Sequence, residues 1–205
     1  KALSLKADIA NYFYNYGTLL SAMGRHNEAI KTYNAALSLN PEFDEAYNAR
    51  GNAEMELQDY QAATKSYQLA LQYNKHNSAA WNNYGNLAAE LGDIKSALER
   101  YDTAIELNPD YIDAHVNKGL SLYSTNSPFM AIDCFKTAMG INEDFKYLYC
   151  SYLAAKTKVC DWTNFDLELD VLKRDAIKEK KWTRPFQLLG LTDDPRFQLS
   201  QSKAY

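Results

Sequence analysis

Asparagine side chains recur at fixed distances from four evenly spaced glycines. They stand two positions before three of these glycines and one position after two of them. A carboxamide carries two N–H donors and an acceptor oxygen, the groups that pair with a peptide backbone. A row of them on one surface would hold an extended polypeptide without reading its side chains. The predicted peptide-binding residues are Asn15, Asn48, Asn52, Asn82, Asn83, Asn86 and Asn117.

A structural role is the alternative interpretation of the same asparagines, which would then bridge neighbouring helices by hydrogen bonds. Ala49 interrupts the row at a position where the other units carry asparagine. Arg50 and Lys118 precede their glycines, and Arg50 has Glu54 one helical turn on. For these two cations we favour packing of the long stems over ligand binding.

Residues suited to catalysis or metal binding are few and scattered. The histidines lack a carboxylate or cysteine partner at ligand spacing, and the odd number of cysteines contains no C-x-x-C pair. Neither a Gly-rich phosphate loop nor a nucleophile elbow is present in the sequence. We therefore predict no catalytic, cofactor-binding or metal-binding residue. Structural roles are expected for His26, His76, His115, Cys134, Cys150 and Cys160.

Composition narrows the class of protein. The 205 residues are 46% hydrophobic, which is enough for a well-filled core, and the formal net charge is −4. This charge gives no general attraction to nucleic acids or anionic membrane surfaces. The sequence contains neither a stretch long and apolar enough to span a membrane nor a signal region at its start. We expect a cytoplasmic protein that binds neither nucleic acid nor membrane.

The elements that position the asparagines follow from an internal repeat of 34 residues. Gly17, Gly51, Gly85 and Gly119 keep this interval, and two alanine series and one aromatic series keep it too. Small residues at these positions let two helices approach closely while the aromatic rings fill the gaps between them. Each unit is therefore predicted to be a hairpin of two helices.

The repeat phase also predicts the domain organisation. Residues 2–9 align with residues 36–43, so the chain is expected to begin inside the second helix of an earlier repeat. The sequence VCDW, which starts at Val159, stands where a hairpin turn is due. The predicted segments are a truncated repeat 1–9, four repeats 10–43, 44–77, 78–111 and 112–145, a remodelled fifth hairpin 146–181, and a linker 182–205.

A 34-residue helical hairpin with this pattern of small and large residues resembles the tetratricopeptide repeat. The resemblance implies an all-α, right-handed superhelical solenoid, closed by C-terminal capping or linker helices. It also implies a concave groove that binds polypeptide partners, and a homodimer is possible. Positions that carry lysine or arginine in chaperone-binding members are uncharged here, namely Tyr14, Asn48, Asn82 and Val116. A clamp for a terminal carboxylate is therefore disfavoured.

Residues 159–205 resemble a second family. CDW, an amphipathic helix and PF-x-LL-x-L-x-DDP, following repeats, are similar to protein O-linked N-acetylglucosamine transferases, especially bacterial ones. The resemblance implies that an asparagine ladder, matched by Asn15, Asn83 and Asn117, recruits polypeptides for a UDP-N-acetylglucosamine-dependent glycosyltransferase. The catalytic lobes would begin about where this sequence stops, so the chain itself is expected to be inactive. The alternative is a non-enzymatic scaffold that assembles partner proteins.

Overall fold

The computed structural model describes residues 2–142 and 148–170, and within these ranges it contains helices and turns but no strand. The predicted all-α class is confirmed. Residues 165–170 are also helical. The helices are α1 (Ala2–Ala22), α2 (His26–Leu39), α3 (Asp44–Glu56), α4 (Tyr60–Tyr73), α5 (Ser78–Glu90), α6 (Ile94–Leu107), α7 (Ile112–Ser124), α8 (Pro128–Ile141) and α9 (Leu148–Lys158).

The chain divides into two compact units after Pro109. Unit 1 contains three hairpins, formed by α1 with α2, α3 with α4, and α5 with α6. In unit 2, α7 and α8 form a hairpin against which α9 packs. Successive first helices of unit 1 also contact one another, since α3 touches both α1 and α5. These first helices carry the predicted asparagines of unit 1.

Each hairpin is closed by an aromatic ring that lies on a glycine. A Cβ added to Gly17, Gly51, Gly85 or Gly119 would lie 2.6–2.7 Å from the nearest ring carbon of the aromatic residue 16 positions later. That distance is far inside van der Waals contact, so the glycines are required by the close approach of the two helices. The aromatic residues are Tyr33, Tyr67, Tyr101 and Phe135, which are at most 1% exposed. The predicted packing of small against large residues is confirmed.

The hairpin turns repeat at the same interval as the glycines. Gly24, Gln58, Gly92 and Asn126 follow one another at steps of 34 residues, and each has a positive φ between 60° and 81°. Cys160, the next position in this phase, also has a positive φ, of 54°. The VCDW segment therefore contains the same left-handed turn residue as the hairpins before it.

The remodelled segment after this turn is stabilised by a buried lysine. Lys156 is 2% exposed, and its Nζ lies 2.6 Å from Glu168 Oε2 and donates to the carbonyl of Thr163. The Tyr152 hydroxyl donates to the other oxygen of Glu168 at 2.9 Å. The helix that follows the turn begins only at Phe165. Residues 171–205, including the predicted linker 182–205, lie outside the described residues.

One predicted boundary does not coincide with a break in the backbone. Helix α1 runs without interruption across the expected boundary between residues 9 and 10. At the aligned place in the next unit α2 ends at Leu39, and Asn40 and Pro41 follow. Lys6 and Ala7 occupy these positions in α1, so the proline that cannot continue a helix is missing there.

Candidate functional site

Two adjoining cavities of about 420 and 240 Å³ lie between the helices of unit 1. They share Asn52 and Glu56, which stand one turn apart on α3. The larger cavity is also lined by Tyr14, Thr18, Ser21, Ala22, His26, Tyr33, Asn48 and Ala49. The smaller is also lined by Met55, Tyr67, Asn83 and Asn86. We call this continuous depression, defined by the residues of both cavities, the amide groove.

The hairpin tyrosines orient two of the groove asparagines. The hydroxyl of Tyr67 donates to Asn52 Oδ1 at 2.7 Å, and that of Tyr101 donates to Asn86 Oδ1 at 2.9 Å. These bonds fix the carboxamides and occupy their acceptor oxygens. Among the described residues no acceptor is bonded to the Nδ2 of Asn52 or Asn86, so both amides keep N–H donors for a ligand.

A third groove asparagine links two first helices. Asn83 Nδ2 on α5 donates to Asn48 Oδ1 on α3 at 3.0 Å. This bond is the helix-bridging role that was considered as the alternative. Both side chains still line the groove, Asn48 in the larger cavity and Asn83 in the smaller. In this pair the structural contact therefore positions residues that also border the open space.

Asn82 does not lie on the groove surface, contrary to its prediction as a peptide-binding residue. It is 3% exposed, and its Nδ2 donates to Asn83 Oδ1 at 3.2 Å. A side chain buried to this degree cannot contact a polypeptide, so its role is to orient Asn83. Asn15 is exposed on α1 but lines neither cavity, and Asn117 lies half-buried on α7 of unit 2.

Hydroxyl groups in the groove remain protonated near neutral pH. Burial raises the pKa of Tyr14, and the nearby carboxylate of Glu45 raises it further. Burial likewise raises the pKa of Tyr67, with smaller contributions from the carboxylates of Glu54 and Glu56. These phenols therefore act as neutral hydrogen-bonding groups.

Arg50 has the structural role that was favoured for it. Its Nε lies 3.4 Å from Glu54 Oε1 and donates to Ser66 Oγ at 3.0 Å, while Nη1 donates to Asn34 Oδ1 at 2.8 Å. Ser66 in turn donates to Glu54 at 2.5 Å. Burial raises the pKa of the Glu54 carboxyl, while the bonds from Ser66 and Arg50 partly offset this. The network joins α2, α3 and α4 and leaves no free cation at this position.

Sequence reasoning missed Glu56 and the tyrosines that orient the amides. The tyrosines had a detectable signal in the residues 15 positions before each ring. Asn52 and Asn86 precede Tyr67 and Tyr101 by this distance, whereas Leu120 precedes Phe135. A polar groove residue thus occurs where the packing ring carries a hydroxyl, and an apolar one where it does not.

Metal-binding clusters of histidine, cysteine and acidic residues do not occur in the described parts of the chain. Cys150 is buried, and this raises the pKa of its thiol to about 12, so the thiolate that would react or bind metal does not form near neutral pH. His115 is also buried. The search for membrane spans, made over the described residues, finds none among the helices.

Two family profiles match the chain. One described as TPR repeat matches residues 17–56 and 85–126, and one described as Tetratricopeptide repeat matches residues 44–77. Together they cover about half of the sequence, in phase with the glycine series. The chain belongs to the tetratricopeptide-repeat proteins. No curated protein matches the sequence significantly.

Solved structures share this fold at low sequence identity. Pseudomonas aeruginosa PilF is 17% identical, with a TM-score of 0.79 over 100% of this chain and 90% of that one. MamA from Desulfovibrio magneticus RS-1 is 16% identical, with a TM-score of 0.69 over 84% of this chain and 98% of that one. YrrB, described as a TPR protein with an unusual peptide-binding site, is 19% identical, with a TM-score of 0.59 over 93% and 90%. These similarities establish the repeat fold.

Proposed function

We propose that this protein binds extended segments of other polypeptides in the amide groove of unit 1. The observation that carries the proposal is the set of oriented carboxamides along the groove, contributed by Asn48, Asn52, Asn83 and Asn86. Their amide groups match the donors and acceptors of a peptide backbone. The tetratricopeptide fold and the peptide-binding site named for YrrB support the same function.

Preorganisation supports this function further. The bonds from Tyr67 and Tyr101 hold two of the carboxamides before any ligand arrives. A ligand therefore does not have to meet the full entropy cost of ordering these side chains. Because backbone groups are common to all polypeptides, this part of the recognition tolerates many sequences.

The test begins with peptides selected from a random phage-displayed library on the full immobilised chain. Replacing Asn52, Asn83 and Asn86 together with alanine is expected to weaken a selected peptide at least about tenfold, because each lost hydrogen bond contributes about 1 kcal/mol. Isothermal titration measures the affinity, and circular dichroism checks that helicity is kept. The matched control is Asn15→Ala, which removes an asparagine that lines neither cavity and should leave binding unchanged. Equal affinity of the triple variant and the unaltered protein would reject the groove.

Recruitment of polypeptides for a glycosyltransferase is a finer proposal that rests on the sequence resemblance of residues 159–205 alone. Of that segment the structure describes only residues 159–170. The relatives named above are repeat proteins, and none is described as a glycosyltransferase. The non-enzymatic scaffold needs only the repeats and the groove, so it is the simpler form of the proposed function. Cytoplasmic location also stays a prediction.

The predicted homodimer also stays a proposal, supported by an exposed apolar face on α1. Five large apolar side chains there are between 39% and 65% exposed and follow the three-and-four spacing of a helix-pairing seam. They are Ile9, Tyr12, Tyr16, Leu19 and Met23. The positions of Tyr12 and Leu19 correspond to Ala46 and Ala53 on α3, which are fully buried. A second copy of α1, antiparallel to the first, would bring the same seam and cover both.

A further inference from the structure

The amide groove contains one carboxylate and no lysine or arginine. Glu56 lines both cavities at the point where they meet. His26, whose Nδ1 lies 3.4 Å from Ser21 Oγ, is the other lining residue that could carry charge near neutral pH. The remaining lining residues are carboxamides, hydroxyls and apolar side chains.

Glu56 has no ionic partner within the described residues. Its neighbour in sequence Glu54 is paired with Arg50 and bonded to Ser66, so the two carboxylates of α3 differ in their surroundings. The side chain of Glu56 is exposed, and its negative charge contributes to the raised pKa of the Tyr67 hydroxyl, although burial is the larger cause. A ligand in the groove therefore meets an uncompensated negative charge.

The spacing along α3 fits an extended ligand. Asn52 and Glu56 are four positions apart, so their side chains stand on one face of the helix, with Cβ atoms about 5–6 Å apart. An extended peptide advances about 3.3 Å per residue. Backbone held by the Asn52 amide therefore places a side chain one or two residues further along beside the Glu56 carboxylate.

We propose that the amide groove selects polypeptide segments carrying a lysine or arginine, whose cation pairs with Glu56. The inference rests on the proposed peptide binding and adds a charge requirement to it. The carboxamides hold the backbone, and Glu56 distinguishes ligands by the sign of one side chain. Acidic segments are repelled at the same place, which is the opposite preference from a clamp for a terminal carboxylate.

The chain offers a matched control for Glu56. Glu90 stands 34 residues later and ends α5 as Glu56 ends α3. It is exposed but lines neither cavity. Glu56→Gln and Glu90→Gln change the net charge equally, so a general attraction between an acidic protein and a basic peptide affects both variants alike.

The experiment uses the full chain and the random peptide library named above. Peptides selected on the unaltered protein are expected to be enriched in lysine and arginine. Glu56→Gln should weaken the best lysine peptide about fivefold, the effect of one partly exposed ion pair, while Glu90→Gln leaves its affinity unchanged. Replacing the lysine of that peptide by glutamine should produce the same loss with the unaltered protein and no loss with Glu56→Gln.

The outcomes separate this inference from the proposed function. Selected peptides without lysine or arginine, or equal affinities of Glu56→Gln and the unaltered protein, would overturn the charge requirement and leave peptide binding intact. Equal losses in the two glutamine variants would show general charge attraction and also overturn it. If no peptide is enriched over a blank surface, the proposed function fails and the charge requirement fails with it.

Discussion

At the scale of single residues, each hairpin tyrosine of the last two hairpins in unit 1 contributes both to packing and to the groove. The ring of Tyr101 lies on Gly85, and its hydroxyl donates to Asn86. The same arrangement joins Tyr67 to Gly51 and Asn52. The closest contact inside the hairpin thus determines where the groove amide points. A change in the core is therefore expected to affect the binding surface.

Gly85→Ala tests the close contact. The added Cβ would lie 2.6 Å from Cε1 of Tyr101, so the ring must move and the helices must separate. We expect a loss of about 1–3 kcal/mol in the free energy of unfolding. Urea denaturation followed by circular dichroism measures it.

Gly140→Ala is the control for that substitution. No atom lies within 4 Å of the Cβ that would be added there, and Gly140 is exposed within α8. Alanine should be neutral or stabilise by up to about 1 kcal/mol, because it has the higher helix propensity. Equal stability of Gly85→Ala and the unaltered protein would contradict the packing described here.

The sequence predicts the glycine and aromatic series because their spacing is periodic. The burial of Asn82 could not be predicted from the same pattern. Asn48 occupies the equivalent position one repeat earlier and lines the larger cavity, while Asn82 is 3% exposed. Their exposure depends on the neighbouring side chains, which differ between units. Periodicity does not include that information.

At the scale of elements, the end of unit 2 is determined by a lysine at a core position. Lys156 stands in the repeat phase of Ala88 and Leu122, which are 6% and 4% exposed. A buried ammonium group needs a charged partner, and Glu168 supplies it from the helical segment after the turn. The repeat phase predicts the turn at VCDW. It does not predict that the next helix begins at Phe165, because that start depends on where Glu168 must lie.

Glu168→Ala tests this ion pair. Removing the carboxylate leaves the Lys156 ammonium buried beside Tyr152, and we expect a loss of about 3 kcal/mol. Combining Glu168→Ala with Lys156→Met removes both charges and should recover part of that loss. Thermal unfolding of the three variants measures the coupling. If the double variant loses as much as the separate losses combined, the two residues are not coupled.

At the scale of the whole molecule, the described residues form two repeat units, and the cavities that define the amide groove lie in the first. Family membership follows from the repeat, which the sequence predicts. The groove itself required the coordinates, because Glu56 belongs to no periodic series and Asn15 and Asn117 match the series but lie outside both cavities. A repeat pattern therefore identifies the fold more reliably than it identifies the individual contact residues.

The most direct test of the central claim is the response of the asparagine side-chain amides to a selected peptide. Nuclear magnetic resonance observes each Nδ2 group of the full chain, and alanine variants assign the signals. We predict that saturating peptide shifts the amide signals of Asn52, Asn83 and Asn86 and leaves those of Asn15 and Asn117 unchanged. Shifts confined to α7, α8 and α9, with the three groove amides unmoved, would contradict the account.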